Sequence, residues 1–137
     1  MPFVRISLLE GKSPEHRRAI ADGVHQGLIE AYKIPPDDRF QVIQQHERDE
    51  FIYDPDYLGI HRTDDVVFIH IVAGNWRDTA AKQALYRAIA DRLAANPGLR
   101  PEDVVVILSP NERDEWSFGN GLASYVNAAS SAAGQSD

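Results

Sequence analysis

The sequence predicts a single α/β (α+β) domain in which a β-α-β unit is written twice, giving β-α-β-β-α-β and a four-stranded sheet with both helices on one face. Three observations carry that expectation. The order strand, helix, strand occurs twice along the chain. The two copies match in letters: a shift of 65 lays Phe3-Val4-Arg5-Ile6 on Phe68-Ile69-His70-Ile71, and Pro36-Asp37-Asp38 on Pro101-Glu102-Asp103. A length of 137 residues suits one core and is short for two. The half-units span about 2–46 and 65–109, with a linker at 47–64, a C-terminal arm at 110–126 and a tail at 127–137 that is expected to fray.

Phe3 to Leu9 alternates enough apolar residues to read as the first strand. Gly11-Lys12 breaks it, and Ser13-Pro14-Glu15 opens a helix with a capping hydroxyl, proline at the first helical position and an early acid. Ile20, Val24, Leu28 and Ala31 mark the buried face of that helix, which Pro35-Pro36 stops. Arg39 to Gln45 is the second strand. Asp65 to Ala73 is nearly all apolar, the pattern of a strand buried on both faces. After the loop Asn75 to Thr79, residues Ala81, Leu85, Ile89 and Leu93 form a second helical face ended by Asn96-Pro97-Gly98, and Asp103 to Leu108 is the fourth strand. Arg18-Ala19-Ile20-Ala21-Asp22 recurs as Arg87-Ala88-Ile89-Ala90-Asp91, at a shift of 69 rather than 65. That predicts helices displaced by about one turn relative to their strands.

Helices on one side leave the other face of the sheet, with its Val, Phe and Ile, to be covered, so association into a small symmetric oligomer is expected. The linker holds most of the chain's charge. Between Glu47 and Asp65 stand seven acids and two bases, −5 of a formal net charge of −7, while Phe51, Tyr53 and Tyr57 suggest that the segment packs down. The acidic balance argues against a nucleic-acid partner, whose phosphates call for a basic surface. The absence of cysteine excludes disulfides, thiolate metal sites and cysteine nucleophiles. No apolar run reaches the roughly 20 residues of a membrane span and no secretory signal is visible, so a cytoplasmic protein without a membrane partner is expected.

Several residues could carry chemistry. Pro2 becomes a secondary amine if Met1 is removed. A free α-amino group titrates near ~7.7–8.0, and burial beside a cation would lower that, making an acid, base or iminium-forming nucleophile near neutrality. Asp38 stands at the entry to the second strand behind two stiffening prolines, where it could position water or orient a carbonyl, or simply cap a turn. Arg77 lies in a strand-to-helix loop, a place suited to bidentate recognition of a carboxylate. Trp116-Ser117-Phe118-Gly119-Asn120-Gly121 sets two aromatics beside a flexible Gly-x-Gly and could wall an apolar pocket or pack the arm against a neighbour. The five histidines have no metal-ligand spacing, and His70 reads as a satisfied core histidine.

The start Met-Pro-Phe-Val-Arg-Ile, the β-α-β repeat, Pro36-Asp37-Asp38-Arg39-Phe40-Gln41 and Trp116-Ser117-Phe118-Gly119-Asn120-Gly121 together resemble the tautomerase superfamily, above all its malonate semialdehyde decarboxylase-like branch, from Pro2 to about Tyr125. The resemblance implies a tautomerase-like homotrimer with Pro2 as the mature first residue and catalytic amine. It places the family's aspartate on Asp38, its arginine pair on Asn75 and Arg77, and its hydrophobic wall on Trp116 and Phe118, with Tyr125 replacing an aromatic neighbour. Asn75 departs from the pattern and removes one cation, a partner worth about 1.5–3 kcal/mol for a charge-assisted bond. The implied activity is cofactor-free and acts on small oxo acids, by decarboxylation or keto-enol tautomerisation. A hydratase or dehalogenase of unsaturated acids, or a trimeric binding protein without turnover, are the alternatives.

Overall fold

The computed structural model describes residues 1–127. Asn127 closes a short helix, and the rest of the expected frayed tail lies outside the described residues.

Strands β1 (Phe3–Leu9), β2 (Gln41–His46), β3 (Val67–Gly74) and β4 (Val104–Asn111) form one sheet in the order β2-β1-β3-β4. The two outer pairs are parallel and the central pair β1·β3 is antiparallel. Helices α1 (Pro14–Tyr32) and α2 (Thr79–Ala95) supply the crossovers. The repeat is geometric as well as literal. Ile6 lies opposite Ile43, and Ile71 opposite Leu108, so both parallel registers are the same under a shift of 65. Arg5 is paired with His70, its own equivalent under that shift, so the local pseudo-dyad passes through this pair.

The helices obey the same shift. Ser13 caps α1 by accepting from the His16 N–H, and Asp78 caps α2 by accepting from the Ala81 N–H, 65 residues later. Ile20, Val24 and Leu28 are buried in α1, matched by Leu85, Ile89 and Leu93 in α2. The expected one-turn displacement does not occur. A four-residue offset returns to the same helix face, so the five-letter match at 69 brings apolar positions into line without being the structural equivalence.

Strand boundaries shift for identifiable reasons. β2 starts at Gln41 rather than Arg39, because Pro35 to Asp38 form a turn (Asp38 N–H to the Pro35 carbonyl, 3.0 Å) and the Arg39 guanidinium reaches back to Asp22 at 2.6 Å. β3 starts at Val67 rather than Asp65, since the Asp65 and Val66 N–H groups are spent on Thr63. β4 starts at Val104 and continues past Leu108 to Asn111, where Ser109, Pro110 and Asn111 pair with Val72, Ala73 and Gly74. Proline is tolerated there because β4 is an edge strand. β3 is not buried on both faces either: Val67, Ile69 and Ile71 are fully buried, whereas Phe68, His70 and Val72 are half-exposed.

The main core lies between the sheet and the helices, with Val4, Ile6, Leu8, Val67, Ile69 and Ile71 facing Ile20, Val24, Leu28, Leu85, Ile89 and Leu93. The helices approach closely at Gly23 and Gly27. A Cβ on Gly27 would lie 2.9 Å from Ile89 Cγ1 and 3.3 Å from the Ile89 backbone nitrogen. On the far face, Leu9, Phe51 and Val66 form a second small cluster with Tyr53, Phe68 and Val105, and Phe51 stacks on Phe68 at 4.6 Å. The linker therefore packs down, held by Arg48 and Tyr53 on Asp64 (2.7 and 2.6 Å) and by the Lys12–Asp65 ion pair. Tyr57 departs from expectation and stays 65% exposed, in a short 3-10 turn outside the Phe51 cluster. Val42 and Ile107 remain exposed on the uncovered part of this face.

Candidate active site

The topology brings the start of β1, the start of β2 and the ends of β3 and β4 to one edge of the sheet. Continuing the β1·β3 register places Pro2 opposite Ala73. Met1 and Pro2 are both buried, and the Met1 ammonium forms an ion pair with the Asp38 carboxylate, whose side chain is 12% exposed. Asp38 is fixed by its turn and by His25, a buried histidine of α1 whose Nε2 meets the Pro36 carbonyl at 2.8 Å. Pro2 nitrogen is three bonds from the Met1 nitrogen, so removal of Met1 exposes the new amine about 3–4 Å from where the first one sits. The Asp38 carboxylate thus stands close to where that amine would emerge.

Asp103 is the equivalent of Asp38 in the second half-unit and is used differently. It is fully buried and accepts from the Thr63 N–H (2.6 Å) and hydroxyl (2.7 Å). Asp103 thus holds the chain entering β3, whereas Asp38 meets the terminus at β1.

Arg77 precedes the α2 cap. Its guanidinium donates to the Tyr32 carbonyl at 3.2 Å and lies over the rings of Tyr32 (4.5 Å) and Trp76 (5.2 Å). A cation beside the last turn of α1 complements the helix dipole. Burial pushes the Tyr32 hydroxyl above the ordinary tyrosine value, with the nearby guanidinium opposing. Arg77 is therefore half committed to holding α1, alongside any work on an anion.

The C-terminal arm walls the same edge. Trp116 stacks on Phe118 (5.2 Å, 9°), donates through Nε1 to Asn111 at 2.8 Å, and Phe118 meets Phe40 at 5.3 Å. Tyr125 stands edge-on to Phe118 at 5.7 Å. The arm folds back on itself through Phe118 N–H to Ser124 Oγ and Ser124 N–H to the Trp116 carbonyl. A run of contacts then leads from Phe40, two residues past Asp38, through Phe118, Tyr125 and Arg113 to Trp76 and Arg77. Asn75 stands outside this run. Its N–H bonds the Asn111 carbonyl, and it is exposed beside Glu112, Asp114 and Glu115 in an open polar depression whose charge repels a carboxylate.

Trp76, Phe40, Tyr32 and Arg113 belong to the site's surroundings and escaped the sequence reading. Trp76 lies against Gly74, where a Cβ would fall 2.0 Å from the indole. His70 is satisfied as expected, by Ser109 Oγ at 2.7 Å, but on the open face rather than in the core. Two groups of exposed acids, Glu47 with Asp49 and Glu50, and Glu112 with Asp114 and Glu115, bring carboxylates within 4.8 Å of one another. In the second group, Glu112 and Glu115 serve as a reciprocal cap.

Comparison with known proteins bears on the family and the fold. Two family models, both described as tautomerase enzyme, match residues 38–119 and 2–61. The probable tautomerase YusQ of Bacillus subtilis (strain 168) is 45% identical over 126 residues, covering 92% of this chain and 99% of that protein. Among solved structures, a malonate semialdehyde decarboxylase studied for its decarboxylase and hydratase activities superposes with a TM-score of 0.88 at 27% identity, covering 92% of this chain and 97% of that one. FG41 malonate semialdehyde decarboxylase, inhibited by 3-bromopropiolate, gives 0.87 at 39% identity over 92% and 95%. Fold and sequence agree: the chain belongs to the tautomerase family.

Proposed function

We propose that the protein is a cofactor-free enzyme acting on small oxo acids, with Pro2 as its proton-transferring group once Met1 is removed. The observation that carries this reading is the buried terminal ammonium paired with Asp38. With Asp38 beside it, Pro2 acts as a general acid. Arg77 binds the substrate carboxylate, while Trp116 and Phe118 exclude water and strengthen each charge interaction within the site. For a 3-oxo acid, the carbon–carboxylate bond breaks, carbon dioxide leaves and its electron pair passes into an enolate whose oxygen the Pro2 ammonium stabilises. For a 2-oxo acid, the same group gives a proton to carbon as the enol hydroxyl loses its own to water, leaving the ketone, and the amine then recovers its proton from solvent.

Similarity to malonate semialdehyde decarboxylases favours the first reaction, and the probable tautomerase YusQ the second. Asp38 can also orient water, which makes hydration a reading within the same site. The protein is proposed to assemble as a homotrimer, since Val42 and Ile107 leave an apolar face uncovered. Mass spectrometry should find a chain that starts at Pro2. Native protein and Pro2→Ala are then assayed on malonate semialdehyde and on the enol of phenylpyruvate. A fall of about 100-fold or more in kcat/KM for Pro2→Ala on either substrate is expected, within the usual range for acid–base groups. Retention of Met1, or equal rates in the two proteins, would overturn the assignment.

A further inference from the structure

The two half-units make the same turn before their outer strands and hold it differently. The Asp38 N–H bonds the Pro35 carbonyl at 3.0 Å, and 65 residues on the Asp103 N–H bonds the Arg100 carbonyl at 2.9 Å. In the second half-unit the carboxylate is itself the anchor, since both Asp103 oxygens accept from Thr63. A carboxylate committed in that way could not also face the chain terminus, as Asp38 does. The Asp38 turn has to be secured by other groups, and Pro35 and Pro36 bring no N–H for the purpose.

Helix α1 supplies them. His25 is 4% exposed, and its Nε2 lies 2.8 Å from the Pro36 carbonyl, two residues before Asp38. A carbonyl only accepts, so Nε2 carries the proton of this bond. About one turn earlier on the same helix, the Ala21 carbonyl accepts from Gln41 Nε2 at 2.8 Å and the Asp22 carboxylate from the Arg39 guanidinium at 2.6 Å. Asp38 is thus tied to one helix on both sides. The equivalents of His25, Arg39 and Gln41 in the second half-unit are Ala90, Val104 and Val106, none of which has a side-chain donor. The tie to the helix occurs only where the carboxylate is left to the terminus. An apolar side chain would fill the place of His25 without the cost of burying a polar ring, so the bond to Pro36 is what distinguishes this residue.

We propose that His25 is a positioning residue for the reaction: through the Pro36 carbonyl it sets where the Asp38 carboxylate stands relative to the Pro2 amine. This rests on the reading above, in which Asp38 works beside Pro2. His25 acts through the turn and not on the substrate, so its loss should slow the chemical step and leave substrate binding nearly intact. A displacement of about 1 Å in a reacting group can cost about 100-fold in rate. Arg39 and Gln41 keep the far side of the turn in place, so loss of the His25 bond alone is expected to cost less, about tenfold.

The test compares His25→Gln with His25→Met, side chains of similar length of which only the first keeps an N–H donor. Should the methionine variant not fold, His25→Ala, which copies Ala90, takes its place. Kinetics are read on whichever oxo acid the mature protein turns over. His25→Met should lower kcat about tenfold with KM within about twofold of native, and His25→Gln should recover most of the loss. In an Asp38→Asn background, His25→Met should lower kcat by no more than about twofold, because the group it positions is already gone. A second readout needs no turnover. Hydrogen exchange of the Asp38 amide, followed by NMR, should be about tenfold faster in His25→Met and close to native in His25→Gln, with α1 amides unchanged. Unchanged exchange at Asp38, a loss in His25→Met that His25→Gln does not recover, or losses at His25 and Asp38 that multiply would each overturn the proposal. If Pro2→Ala equals native protein while the Asp38 amide responds as stated, the role of Pro2 fails and the hold of His25 on the turn stands.

Discussion

Asp38 and Asp103 stand at equivalent points of the two half-units, 65 residues apart, at the entry to the outer strand of each pair. Their partners differ because the chain begins at one point and passes through at the other. Asp38 meets an ammonium, whereas both oxygens of Asp103 are consumed by Thr63 in a fully buried setting. Asp103→Ala would leave the Thr63 N–H and hydroxyl without their acceptor and should cost about 2–3 kcal/mol in urea unfolding, as charged hydrogen bonds of this kind do. A loss under 0.5 kcal/mol would mean that water replaces the carboxylate without penalty. The pair also explains what was readable at this scale. Pro2, Asp38 and Arg77 stand out by residue type and place in the chain. Trp76 and Arg113 owe their positions to contacts across the sheet edge, and no local pattern announces such contacts.

At the scale of elements, the helix interface depends on two glycines with unequal freedom. A Cβ at Gly23 would meet mainly the flexible tip of Leu93 at 2.7 Å, while one at Gly27 would press on both the side chain and the backbone of Ile89. Alanine gains about 1 kcal/mol of helix propensity at either place, against an overpacking cost of about 1–3 kcal/mol where the neighbour cannot move. Gly23→Ala should therefore be close to neutral and Gly27→Ala destabilising, as compared by their denaturant midpoints; the reverse order would refute the steric argument. The linker offers an independent test. Hydrogen bonds from Arg48 and then Tyr53 hold the Asp64 carboxyl down at about 2, below its ordinary 3.8. Its contribution to stability is complete above the ordinary value and is lost as pH falls through the folded one. Asp64→Asn should lower the unfolding midpoint at pH 7, and the gap to native protein should close as pH approaches 2. A gap independent of pH would show that the charge is not what the linker uses. Element order and type were legible because apolar periodicity and caps are local. Strand ends were not: Thr63 takes the first N–H groups before β3, and it is itself held by Asp103, 40 residues on, while Asp22 draws back Arg39 from 17 residues away. Helix phase was misread from a five-letter match, although the caps Ser13 and Asp78 already carried the right shift.

For the whole molecule, the governing asymmetry is between the two faces of the sheet. The helix side is closed, while the linker covers only the part of the other side around Leu9, Phe51 and Val66. Val42 and Ile107 remain exposed on opposite edge strands, with Arg5 and His70 between them. Full burial of one such aliphatic side chain is worth about 1.5–3 kcal/mol, and in a closed ring of copies each contact is repeated at every interface. A charge set into that interface replaces each of those gains by a desolvation cost of several kcal/mol. Ile107→Asp is therefore expected to convert a homotrimer to monomer in light scattering, while circular dichroism retains the helix signal, because Ile107 packs no part of the core between sheet and helices. A native protein that scatters as a monomer, or an Ile107→Asp protein that scatters as the trimer, would show that this face needs no second copy. The same experiment separates assembly from chemistry. The terminal ammonium, Asp38 and the aromatic wall all come from one chain, so a folded monomer should retain measurable Pro2-dependent turnover.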